Sequence, residues 1–244
     1  MTYCVALKLE TGLLFMSDTR TNAGLDNIST YRKMTTWSEP GESAITLLAA
    51  GNLATTQAVI SLIDERMKAP GDRSPSILGL PSMFQIARAV GEILRGEIAR
   101  SAGEGQSAEA FGATLILGGQ VRGSEPRLFM IYPEGNFIEA GADTPWFQSG
   151  EVKYGRPILV RAFDPAMSFE AAMKLLMVSF DSTIKANLSV GLPLDYALYP
   201  EGSLTAPPIR RVEVEDADFA RLSTGWGDAL RAAFDSLPDV TLDD

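Results

Sequence analysis

The chain has 244 residues, a formal net charge of −10, a single cysteine and no histidine. Those counts exclude an internal disulfide framework, Ser-His and Cys-His nucleophile pairs and histidine-based metal sites. The acidic balance argues against nucleic-acid and anionic-membrane partners, and no apolar run reaches the ~20 residues of a membrane span.

Hydrophobic residues make up 45% and charged residues 21%, the balance of a globular chain. This length can bury a substantial core without crosslinks. The first residues lack the basic and apolar regions of a secretory leader, so a cytoplasmic protein is expected. Cys4 lies on an apolar stretch and is expected to be a small buried hydrophobe.

Residues 3–8 and 13–17 read as a pair of strands around the turn Glu10-Thr11-Gly12. Residues 21–24 read as a loop and 28–36 as a strand carrying Tyr31, Arg32 and Lys33. Residues 44–50 (AITLLAA) form a continuous apolar run, the mark of a strand buried on both faces. A helix of period 3.6 follows over 53–68, and a second over 82–100 after the turn-rich stretch APGDRSPS. Strands are expected at 113–117, 127–132 and 137–140, a third helix at 169–185, strands at 194–199 and 209–214, and a last helix at 216–236 before an acidic tail. Phe219, Leu222, Trp226, Leu230 and Phe234 make an apolar stripe on that last helix, with core packing favoured over a subunit contact. No interior linker marks a boundary, so one domain over 1–244 is expected. Strands and helices in blocks predict an α+β class, with two antiparallel sheets face to face and helix pairs outside.

The chemistry starts at the second residue. A residue as small as Thr2 normally permits removal of Met1, which would leave a threonine with a free α-amine. That amine has a reference pKa of about 7.7–8.0 and can take the proton from the threonine hydroxyl. A chain without histidine can therefore still perform acyl transfer. It needs a nearby cation and a carboxylate to hold that cation; Lys33 and Asp18 supply such a pair. It also needs backbone donors for an oxyanion, and Gly51 stands between a buried strand and a helix. Taken singly, each residue has an ordinary reading. Asp18 can end a strand, Lys33 can be a surface lysine, and Gly51-Asn52 can be a turn. Their order and spacing together point to one mechanism.

That ordered set resembles the N-terminal-nucleophile (Ntn) hydrolases of the proteasome β-subunit superfamily. More closely, it resembles the bacterial Anbu (ancestral β-subunit) proteins. The resemblance rests on TYCVA at 2–6, SDTRTNAG at 17–24, ISTYRKM at 28–34 and LLAAGNLATTQ at 47–57. It continues through FQSGEVKYGRPIL at 147–159 and IKANLSVGLPLDYALY at 184–199, and covers essentially the whole chain.

The resemblance implies a four-layer αββα sandwich, the Ntn hydrolase fold. It implies Thr2 as nucleophile, Asp18 as orienting carboxylate, Lys33 as cation and Gly51 N–H as oxyanion donor. Ser149, in the family's Ser-Gly motif, would relay a proton or hold a water beside the amine. Its ordinary reading, a cap for a helix starting near Glu151, stands level with that role. By position, Thr21, Tyr31, Ala50 and Thr55 would shape the substrate pocket. The sequence departs from the family where proteasome β-subunits carry Asp, two residues, then Ser. Here the stretch is Ala186-Asn187-Leu188-Ser189, with no aspartate. The resemblance further implies a homo-oligomer, as a ring or an open staggered assembly, and a peptide or amide substrate. No metal or organic cofactor is implied. Two alternatives remain beside a threonine peptidase: an amidohydrolase or isopeptidase on a small amide, and a non-catalytic assembly subunit.

Overall fold

The structure is a computed structural model that describes residues 2–22, 28–68, 76–102 and 107–241. Its strands are β1 (Tyr3–Leu9), β2 (Gly12–Asp18), β3 (Arg20–Asn22), β4 (Ile28–Thr30), β5 (Met34–Glu39) and β6 (Ser43–Gly51). After two helices come β7 (Ala113–Val121), β8 (Arg127–Ile131), β9 (Phe137–Glu139), β10 (Trp146–Gly150), β11 (Leu194–Pro200) and β12 (Arg210–Val212). The helices are α1 (Leu53–Lys68), α2 (Met83–Ser101), α3 (Arg156–Ala162), α4 (Phe169–Ala186) and α5 (Ala217–Asp235).

Two five-stranded antiparallel sheets carry the fold, in the orders β10-β1-β2-β11-β12 and β5-β6-β7-β8-β9. The period-2 alternation of β2 shows how they stack. Leu14 and Met16 join the core under α3 and α4, while Leu13 and Phe15 join the core between the sheets. β6 divides likewise: Ile45, Leu47 and Ala49 meet α1 and α2, and Ala44, Leu48 and Ala50 face the other sheet. Three apolar cores therefore separate four layers, the αββα sandwich expected from the sequence. Each buried Leu, Ile or Phe contributes about 1.5–3 kcal/mol of transfer free energy. A one-residue slip of β1 or β2 would turn these side chains onto the wrong face, so the register next to Thr2 is strongly specified.

Several expectations change. The predicted strand over 28–36 is two pieces. Ile28–Thr30 pairs with Arg20–Asn22 as a separate ribbon, residues 31–33 leave strand geometry, and β5 then begins at Met34. The break is local: Tyr31 N–H donates to Thr19 O, and Lys33 O accepts from Ala49 N–H. Thr21, expected in a loop, lies in that ribbon. The stretch Trp146–Gly150 is an edge strand, and α3 is an additional short helix. The stripe on α5 is not core. Phe219 is buried, but Leu230 is 50% and Phe234 75% exposed, so only the start of the stripe is covered. Part of the 21–24 loop, most of APGDRSPS and the end of the acidic tail lie outside the described residues.

Candidate active site

β1 and β2 form a hairpin with Cys4 opposite Ser17, which brings the start of β1 beside the end of β2. Tyr3 N–H donates to Asp18 Oδ1 at 2.9 Å. Lys33 Nζ donates to the same oxygen at 2.6 Å and to Arg20 O at 2.7 Å. An ammonium has three N–H groups, so one is left for the cleft beside Thr2. Asp18 is 0% and Lys33 6% exposed. Burial pushes the Asp18 carboxyl upward, while Lys33 and the Tyr3 amide pull it back down. The second carboxylate oxygen, Oδ2, is buried without a partner among the described residues. A buried pair of this kind adds little net stability, but it holds the ammonium in one place.

Gly51 ends β6 at φ +118°, a left-handed backbone that favours glycine. A Cβ there would meet Gly112 O at 2.5 Å. Gly51 does not itself open the helix. Asn52 intervenes, and its Oδ1 accepts from Thr55 N–H at 3.1 Å, capping α1.

A cavity of about 590 Å³ runs from Thr2 past Lys33 and Gly51 to α1. Thr21, Tyr31, Arg32 and Gly150 line its sides, and Ala49, Thr56 and Ile60 lie deeper toward the helix. Thr21 and Tyr31 therefore sit where the sequence places them. Ala50 does not line the cavity: strand alternation turns it between the sheets and gives the wall to Ala49. Thr55 is likewise displaced by Thr56. Its hydroxyl donates to Phe111 O at 2.9 Å and fastens α1 instead.

Ser149 lies opposite Cys4 across β1 and β10, on the other side of Thr2 from Asp18, and is buried. It caps no helix. The next helix starts at Arg156, and its N-cap Gly155 makes no side-chain cap bond. Gly150, at φ +85°, lets the chain pass close under Thr2, where a Cβ would strike the Thr2 carbonyl. Glu151 N–H then donates to Thr2 O at 2.7 Å. Where the aspartate is missing, Asn187 accepts from Ser189 N–H at 2.9 Å and Ser189 Oγ at 2.5 Å, and donates from Nδ2 to Glu151 Oε2 at 2.8 Å. The partnership of Glu151 and Asn187 has no local sequence signal, since 36 positions separate them.

Tyr3 is anchored from behind. Gln148 Nε2 donates to its hydroxyl at 2.6 Å, and that hydroxyl pairs with Ser179 Oγ at 2.8 Å. Burial pushes the phenol up to about 12. Burial also pushes the Cys4 thiol far up, which keeps it neutral and unreactive. No cluster of three or more metal-ligating side chains occurs among the described residues, and no described helix is long and apolar enough to cross a membrane.

No protein-family model matches the chain, and no curated protein does. Solved structures match over nearly its whole length. An Anbu (Gly-1) mutant from Hyphomicrobium sp. strain MC1 is 46% identical, with 99% of this chain and 100% of that one covered and a TM-score of 0.91. Anbu (ancestral beta-subunit) from Yersinia bercovieri is 43% identical, with 99% and 100% covered and a TM-score of 0.91. The Anbu chain of a helical assembly from Pseudomonas aeruginosa is 43% identical, with 98% of each chain covered and a TM-score of 0.92. With the αββα layers and identities of this size over full-length chains, the protein belongs to the Anbu family of proteasome-like β-subunits.

Proposed function

We propose that this protein is an N-terminal threonine hydrolase, a proteasome-like peptidase that cleaves peptide or amide bonds through Thr2 after Met1 is removed. The observation that carries the reading is the Lys33–Asp18 pair, 2.6 Å apart and almost fully buried, at a cleft that Thr2 lines. A structural ion pair gains little from such burial, whereas a nucleophile gains a fixed cation.

In this mechanism the Thr2 hydroxyl attacks the substrate carbonyl carbon and its proton passes to the Thr2 α-amine, directly or through one water. The carbonyl π pair moves onto oxygen, where Gly51 N–H is the intended donor. Lys33 lowers the cost of negative charge on Oγ, and Asp18 keeps Lys33 in place. Collapse of the intermediate breaks the C–N bond, and the ammonium returns its proton to the leaving amine. Water then attacks the Thr2 ester by the same proton path and releases the acid. Ser149 is assigned to hold a water or the amine on the side away from Asp18. Thr21 and Tyr31 are assigned to substrate contact.

A homo-oligomeric assembly is part of the proposal. One relative forms a helical assembly, and the outer half of α5 leaves Leu230 and Phe234 uncovered in the single chain. The test is intact mass before and after treatment with a peptide epoxyketone, which needs both the threonine hydroxyl and the free amine. Loss of Met1 and one adduct, absent in Thr2→Ala, is the expected result. A processed protein that takes no adduct and hydrolyses no peptide would favour the non-catalytic assembly subunit.

A further inference from the structure

The side of Thr2 away from Asp18 carries a second buried carboxylate. Glu151 is 6% exposed, and its own N–H donates to the Thr2 carbonyl at 2.7 Å. Its backbone is thus one hydrogen bond from the nucleophile. Burying a carboxylate is costly unless something is gained from its charge. Two groups answer it. Asn187 Nδ2 donates to Oε2 at 2.8 Å, and Lys153 Nζ lies 3.6 Å from Oε1 on a mostly exposed side chain.

The orientation of Asn187 follows from its partners. Ser189 N–H can only donate, so it must meet Oδ1, and Nδ2 must face the carboxylate. Ser189 Oγ also donates to Oδ1, which leaves the serine oxygen free to accept. The dipoles of Ser189 and Asn187 therefore align toward the charge on Glu151.

The same loop is fastened at two points to the Lys33 side. Arg20 Nη1 donates to Leu188 O at 2.9 Å, and Thr19 Oγ1 donates to Pro193 O at 2.7 Å. Arg20 O is in turn an acceptor for Lys33. Residues 187–193 thus bridge the two flanks of the site, held by Glu151 on one and by Thr19 and Arg20 on the other.

We propose that Glu151 is a positioning residue for the Thr2 α-amine: through Asn187 it sets residues 187–193 against the nucleophile, and its charge strengthens the amine as a proton acceptor. The inference rests on the reading of Thr2 as a processed N-terminus. Other charges near that amine are Asp18 and Lys33 from the opposite flank, Lys153 behind Glu151, and Arg32 on the cleft wall. The stretch after β10 thus supplies a carboxylate beside Ala186-Asn187-Leu188-Ser189, which has none of its own.

Glu151→Gln tests the charge, because a glutamine can still accept from Asn187 and keep the loop in place. The readout is the pH dependence of acetylation of the Thr2 amine in the processed protein, followed by mass spectrometry. The expected result is a midpoint lowered by about half to one unit, with the acid limb of any hydrolysis profile moving by the same amount. Glu151→Gln with Asn187→Asp moves the charge one position along the same chain of bonds, and the midpoint returns toward wild type. Lys153→Met, at an exposed site that tolerates change, raises the midpoint by a few tenths. A Glu151→Gln protein that titrates like wild type, or a double variant that stays with Glu151→Gln, overturns the inference. A shifted midpoint without turnover of any amide would remove the proposed hydrolase and leave the role of Glu151 standing. Turnover with an unshifted midpoint would do the reverse.

Discussion

The β1–β2 hairpin and the 20–33 segment both border the cleft, and they are built differently. In the hairpin every residue from Gly12 to Asp18 is buried, and each strand has a neighbour on both sides. In the other segment a two-stranded ribbon stands apart from both sheets, and Tyr31 is 38% exposed. The hairpin carries Asp18, the buried carboxylate bonded to Lys33. The segment carries Thr21 and Tyr31 on the cleft wall, which can change without disturbing a core. Lys33 belongs to the second segment by sequence and to the first by contact, since its ammonium is bonded to Asp18. In the proposed function, chemistry is thus placed where packing is rigid, and substrate contact where it is not.

The largest expected effect breaks the link between the two regions. Lys33→Ala should lower hydrolysis about 10²–10³-fold and cost about 3–5 kcal/mol, because Asp18 is left buried and unpaired. Asp18→Asn with Lys33→Met should recover most of that stability in urea unfolding while activity stays lost. Recovery of activity in the double variant would take the pair out of the mechanism.

Next is the hairpin itself. The Tyr3 phenol is raised from 10.0 to about 12 in the folded protein. A raised value means that the folded state holds the proton more tightly than the unfolded chain. The stabilisation is complete below pH 10 and is lost as pH rises toward about 12. It amounts to about 3 kcal/mol. Urea midpoints measured at pH 9 and 11.5 should therefore fall further for wild type than for Tyr3→Phe. Equal falls would place the alkaline loss elsewhere.

The smallest effect lies on the exposed wall. Tyr31→Ala should change KM and the preference among peptide side chains by about 3–10-fold, near 1 kcal/mol, with kcat nearly kept and the melting temperature unmoved. A collapse of kcat would show that Tyr31 does more than touch substrate.

Much of the site is legible in the amino-acid sequence. The polar pair Ser17-Asp18 at the end of an apolar strand, a lysine one strand later and a glycine at a strand end are local patterns, and the resemblance implies roles for them. The one-residue displacements have a common cause. Ala50 and Thr55 yield the cleft wall to Ala49 and Thr56 because adjacent residues on a strand face opposite sides and adjacent residues on a helix diverge by a large angle. A run apolar on both faces, such as 44–50, contains no signal to tell them apart. The α5 stripe misleads for a related reason: periodicity shows that a face is apolar but not what covers it.

From the sequence alone come most of the order of elements, the antiparallel layers, the absence of histidine chemistry and the set Thr2, Asp18, Lys33 and Gly51. Turn residues and hydrophobic periodicity are local, so they can be read in place. Only the tertiary structure decides that Lys33 Nζ lies 2.6 Å from Asp18 Oδ1, and that Asn187 turns its amide to Glu151. Those pairs are joined through sheet register and loop closure. Their geometry is set by the packing of whole layers, which no single stretch of chain contains.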